Sequence, residues 1–142
     1  MNKLVLGLIA LLIGGAVAGY FGFAQYFSAP KVEELSARPL FFPMDKFVMS
    51  VAGDPTSRYL VLELTLVSHK ASTIAALKEA TPLLRNALVA HFASSSHLEV
   101  KVAMQQIDKV QQQLLSTFNQ SLTENKFEHQ LDKVLITNIF IQ

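Results

Sequence analysis

From Leu4 to Phe27 the chain runs for 24 residues without a charged side chain, LVLGLIALLIGGAVAGYFGFAQYF. As a helix this run is about 36 Å long, enough to cross a hydrocarbon core of about 30 Å with some tilt. Lys3 precedes it, and Lys31, Glu33 and Glu34 follow. Positive charge is retained on the cytoplasmic side, so the N-terminus is expected inside and the remainder outside. Tyr20, Phe21, Phe23, Tyr26 and Phe27 cluster at the outer end, where amphipathic rings favour the headgroup boundary. The expected organisation is a cytoplasmic stub at 1–3, a transmembrane helix at 4–27, a linker at 28–45 and an exported domain at 46–142. The competing reading is a cleaved signal peptide with Ala16-Val17-Ala18 as its cleavage pattern. The apolar run continues nine residues past Ala18, which favours a retained anchor.

The exported part is expected to fold without covalent help. Cysteine is absent, so disulfides and thiolate metal sites are excluded, and about 100 residues must supply a sufficient core. The 12 basic and 11 acidic residues give a formal net charge of +1. Beyond Lys3 the charges balance, and nothing resembles the basic footprint of a nucleic-acid binder.

Along the exported part, Pro30, Pro39 and Pro43 bias the connector toward extended backbone. A first strand is expected at 46–51, then a turn at Gly53-Asp54-Pro55. Arg58 to Ser68 is the clearest element. Leu60, Leu62, Leu64 and Leu66 occupy one face at period two, and Tyr59, Val61, Glu63, Thr65 and Val67 the other. The leucine face is expected to lie under helices and the mixed face to be only partly covered. Helices follow at 72–80 and 82–94, with Thr81 as N-cap and Pro82 at the first helical position. Residues 97–102 read as a short strand or an extended link. A third helix spans 103–122, with Met104, Ile107, Val110, Leu114, Phe118 and Leu122 as its apolar stripe. The last element, 134–142, reads as a strand with Leu135, Ile139 and Ile141 on one face and Ile136 and Phe140 on the other. The fold class is α+β, a small sheet with helices on one side.

The residues offer no catalytic constellation. His69, His91, His97 and His129 lack the spacing of a zinc site or metalloprotease helix, and no phosphate loop or nucleophile elbow is present. The expectation is therefore no catalytic, metal or cofactor-binding residue, no cofactor, and no small-molecule substrate. Two features point toward assembly. Gly15-x-x-x-Gly19 and Ala18-x-x-x-Gly22 place small residues on adjacent stripes of the anchor, where another helix can approach closely. Tyr59, Val61, Val67, Ile136 and Phe140 form a possible assembly surface, a buried central strand being the alternative.

The closing run Val134-Leu135-Ile136-Thr137-Asn138-Ile139-Phe140-Ile141-Gln142 resembles the closing strand of FliL, the flagellar basal-body-associated membrane protein family. Phe47-Val48-Met49-Ser50-Val51, Arg58 to Leu66 and Pro82 to Leu88 match it in order and spacing. The run Gln105-Gln106-Ile107-Asp108-Lys109-Val110 departs from the family's usual glycine-led helix start. The principal member and a divergent or lateral-flagellar paralogue therefore both stay open. The resemblance implies a periplasmic domain like the stomatin/prohibitin (SPFH) fold, anchored in the bacterial inner membrane. It implies a homo-oligomeric ring around a stator of the MotA/MotB type, supporting its assembly or activity in rotation and motility without chemistry of its own. An anchored periplasmic adaptor or chaperone unrelated to motility is the alternative, and a small hydrolase with an unrecognised site ranks below both.

Overall fold

The leucine alternation organises the sheet. In the computed structural model, which describes residues 35–53 and 56–142, Arg58–Ser68 forms an 11-residue strand, β3. Leu60, Leu62 and Leu66 are fully buried and Leu64 nearly so. β1 (Leu40–Pro43) and β2 (Phe47–Val51) lie end to end along one side of β3, and β4 (Lys133–Ile141) runs along the other. All pairings are antiparallel. The anchor at 4–27, with Gly15, Ala18, Gly19 and Gly22, lies outside the described residues, as does the connector up to Glu34. Among the described residues no helix is long and apolar enough to cross a membrane.

The connector expected to reach Asp45 ends sooner. Leu40–Pro43 pairs with β3, Pro43 standing opposite Thr65, while Phe47 stands opposite Leu62. Four steps on one strand thus match three on the other, so one extra residue is accommodated between β1 and β2. Met44 fills that irregularity, its N–H donating to the Leu64 carbonyl at 2.9 Å and its side chain buried. Pro43 is compatible with this placement because it closes a short outer strand, where a missing donor costs least. Phe41 and Phe42 divide between the two faces: Phe42 packs on the core, and Phe41 is 56% exposed.

Helix α1 (Ala71–Phe92) runs unbroken through Pro82, where two helices were expected. Leu77, Ala80, Leu84, Ala87, Leu88 and Phe92 are buried along a single stripe that keeps its phase across the proline. Pro82 and Lys78, whose carbonyl loses its donor, both lie on the exposed side of the helix. Thr81 does not cap; its hydroxyl donates to the Leu77 carbonyl at 2.7 Å. An interior proline costs about 3 kcal/mol, and burial of a stripe on both sides outweighs it.

Residues 97–102, read as a short strand or an extended link, lie instead in helix α2 (His97–Ala103). Its start is a capping box: Ser96 Oγ accepts from the Glu99 N–H, and the Glu99 carboxylate accepts from the Ser96 N–H at 2.7 Å. Those hydrogen bonds hold the Glu99 carboxyl below its ordinary value. A 3₁₀ turn at Met104–Gln106 leads into α3 (Ile107–Glu124), which buries Val110, Leu114, Phe118 and Leu122. The loop after α3 turns at Lys126, in the left-handed region with φ 62°. It is clamped by Asn119, which donates to the Leu131 carbonyl at 3.0 Å and accepts from its N–H at 2.8 Å.

β4 contains a bulge. Asn138 stands opposite Glu63 but Ile136 opposite Leu64, leaving Thr137 as the extra residue. Its hydroxyl donates to the Glu63 carbonyl at 3.1 Å. Val134, Ile136, Ile139 and Ile141 therefore all share the leucine face, and each belongs to or packs on the core. The expected split of this strand is corrected at two residues. Ile136 faces the core and not the Phe140 side, and Leu135, opposite Thr65, lies on the face away from Ile139 and Ile141.

Candidate assembly surface

The second face of the sheet brings together most of the residues singled out from β3 and β4. The cluster that joins strands to helices contains Leu60, Leu62, Leu64 and Leu66, together with residues of all three helices, and omits Val61 and Val67. Val61 stands between Val48 and Phe140, and Val67 between Phe41 and Lys133. Tyr59 exchanges both backbone hydrogen bonds with Gln142 at 2.9 Å. Four of the five anticipated residues, Tyr59, Val61, Val67 and Phe140, thus lie on this face, and Ile136 lies on the opposite one. Sequence reasoning missed Phe41, Val48 and Leu135, which share it. Register alone reveals them, because cross-strand neighbours fall on one face.

This face carries three exposed apolar residues. Phe41, Val48 and Tyr59 are 56%, 53% and 56% exposed. Val61 and Val67 are buried between their neighbours. Between the apolar groups lies a polar belt in which Lys46 pairs with Glu63 at 3.3 Å and Thr65 adjoins it. Exposed apolar groups at strand positions, interrupted by a single ion pair, suit contact with another protein surface better than prolonged contact with water.

The histidines do not build a catalytic set. Asp132 Oδ2 accepts from the His69 backbone N–H at 2.7 Å and contacts its Nδ1 at 2.8 Å, tying the end of β3 to the start of β4. Partial burial pushes Asp132 up, but the hydrogen bonds from His69, with the charges of His69 and Lys70, outweigh it and hold the carboxyl below 3.8. Both residues are near half exposed, and among the described residues no hydroxyl joins them. His91 meets Phe92 edge-on at 4.7 Å, and burial pushes its ring below 6.5 although it sits in the last turn of α1. Desolvation there outweighs the attraction of a helix C-terminus for a cation. Among the described residues no three His, Asp or Glu side chains are placed to hold a metal ion.

These features define a small α+β domain whose leucine face is closed by helices and whose other face leaves Phe41, Val48 and Tyr59 exposed. Residues 41–142 match the family described as flagellar basal body-associated protein FliL, and the chain belongs to that family. It is 25% identical over 107 residues to the flagellar protein LafL of Vibrio parahaemolyticus serotype O3:K6 (strain RIMD 2210633), which covers 75% of this chain. The chain in turn spans 64% of that relative's length. Family membership makes this a flagellar basal body-associated protein.

Proposed function

We propose that the chain is a non-enzymatic, membrane-anchored scaffold that forms a periplasmic ring beside a MotA/MotB-type stator and supports its assembly or activity. The observation that carries this reading is the family match, which takes in almost the whole described domain. In this reading residues 4–27 hold the protein in the inner membrane as a single helix, with residues 1–3 cytoplasmic and the SPFH-like domain periplasmic. The open sheet face supplies the contact between copies through Tyr59, Val61, Val67 and Phe140. Gly15, Ala18, Gly19 and Gly22 would bring anchors together. Confinement to one membrane raises the effective concentration of neighbours, so a modest contact between domains suffices.

The test is fluorescence localisation with the fluorophore at Met1, because the other terminus pairs with Tyr59 inside the sheet. Spots at flagellar bases that disperse when the stator genes are removed are the expected result. A uniform membrane signal, indifferent to the stator, would refute the stator role and leave an adaptor unrelated to motility. A fluorophore released from the membrane would refute the anchor.

A further inference from the structure

Where β3 begins and β4 ends, α2 closes over the sheet and leaves a cleft of about 450 Å³. Three cationic or hydrogen-donating side chains enter it from separate places: Arg58 from β3, and His97 and Lys101 from successive turns of α2. Met104 and Ile141 are among its apolar lining, and Leu98 forms one wall. No carboxylate side chain is among the lining residues. The ion pairs among the described residues are Lys46 with Glu63 and His69 with Asp132, so neither Arg58 nor Lys101 is neutralised there. Glu99, the acid of the same helix, is held on Ser96 by the capping box.

Helix α2 itself is turned the wrong way for a solvated surface helix. Leu98 and Val102 are 62% and 59% exposed, four residues apart on one stripe, while Val100 alone is buried. Leu98 and Val102 also line a second cleft, where Glu99 and Lys109 bring charges of both signs. The first cleft and the ridge beside it make an apolar trough edged by Arg58 and Lys101, which form no ion pair among the described residues.

We propose that this trough binds an acidic peptide segment of a partner protein, one whose carboxylates alternate with apolar side chains. The cations fit the carboxylates, and the ridge of Leu98 and Val102 with the floor of Met104 and Ile141 fits the apolar groups. A peptide side chain can enter a concave site to reach half-buried Met104 and Ile141, whereas a flat lipid surface cannot. Nucleic acid is disfavoured by a chain whose formal net charge is +1.

The experiment uses the full chain in phosphatidylcholine nanodiscs and fluorescence anisotropy of a fluorescein-labelled peptide of alternating leucine and glutamate. The control peptide carries glutamine for glutamate. The glutamate peptide is expected to bind about tenfold tighter, and the Arg58→Gln/Lys101→Gln pair to abolish that preference. A Lys78→Gln/Lys126→Gln pair removes the same charge from exposed sites elsewhere and is expected to keep it. Leu98→Ser is expected to weaken both peptides alike. Thermal melting of each variant confirms that these exposed substitutions leave the fold intact. Equal binding of the two peptides, or equal loss in both double variants, overturns the proposal. Release of bound peptide by phosphatidylglycerol vesicles, but not by phosphatidylcholine vesicles, assigns the trough to lipid headgroups and overturns it as well.

Discussion

Deleting Thr137 isolates the bulge, because this is the extra residue that β4 sets aside to keep its phase along the core. In the intact strand Ile136 lies opposite Leu64 and Asn138 opposite Glu63, with Thr137 unpaired between them. Removing it leaves every other partner unchanged and converts the bulge into regular ladder. Val134, Ile136, Ile139 and Ile141 all stay on the leucine face. The loss is one hydrogen bond from Thr137 to Glu63, worth about 1 kcal/mol, offset in part by a regular pairing. Deleting Asn138 gives the same register with Thr137 opposite Glu63, and is expected to match it.

Deleting Ile139 is different. Either the bulge persists and Phe140 takes the core position while Ile141 turns outward, or the bulge closes and Asn138 enters the core. Half-burial of an isoleucine contributes about 1 kcal/mol, and a misplaced Phe or an unpaired Asn adds at least as much again. We expect a loss of about 2–4 kcal/mol for this deletion and about 1 kcal/mol or less for the other two. Urea unfolding of the full chain in mild detergent, followed by far-ultraviolet circular dichroism, separates these values. Equal losses for the Thr137 and Ile139 deletions would refute the bulge as the device that sets the phase of β4.

Two further outcomes follow from local geometry. Asp132→Asn weakens the tie to His69 and is expected to cost under about 1 kcal/mol at neutral pH, since both groups are near half exposed. The folded-state pKa of Asp132 is depressed, so its contribution is present above the unfolded value and disappears as pH falls through the folded one; melting curves of parent and variant are expected to converge below about pH 4, and a constant gap down to pH 2 would contradict this. Gly53→Ala drives a Cβ into the Thr56 carbonyl oxygen. The β2–β3 turn must shift to admit it, at an expected cost of about 1–3 kcal/mol in a thermal melt, with Gly53→Ser no better tolerated.

The candidate surface was partly legible because it sits on β3. Period-two alternation is a local property, so Tyr59, Val61 and Val67 could be assigned to one face without knowing what β3 pairs with. Phe41, Val48 and Leu135 could not, since they join that face only through cross-strand register. The cationic trough was invisible for the same reason: Arg58 and Lys101 are separated in sequence and meet only where α2 crosses the end of the sheet. One local signal was present and unused. Ser96-x-x-Glu99 is a capping box, and it marks α2 as a helix before any tertiary contact is considered.

The sequence by itself determined what depends on neighbours in the chain. It set the leucine face of β3, the stripe Val110, Leu114, Phe118 and Leu122 of α3, the need to fold without disulfides, and the order of motifs that carries the family. Tertiary structure decided where local preference was outweighed or silent. Pro82 stays inside α1 because the core on both sides of it is worth more than one hydrogen bond. Leu40–Pro43 becomes a strand because β3 offers it a ladder, and Thr137 bulges because the core takes Ile136 and Ile139 together. Asp132 finds His69 from 63 residues away because β4 returns alongside β3. Each of these outcomes depends on energy gained between distant segments, and a period read along one segment does not contain it.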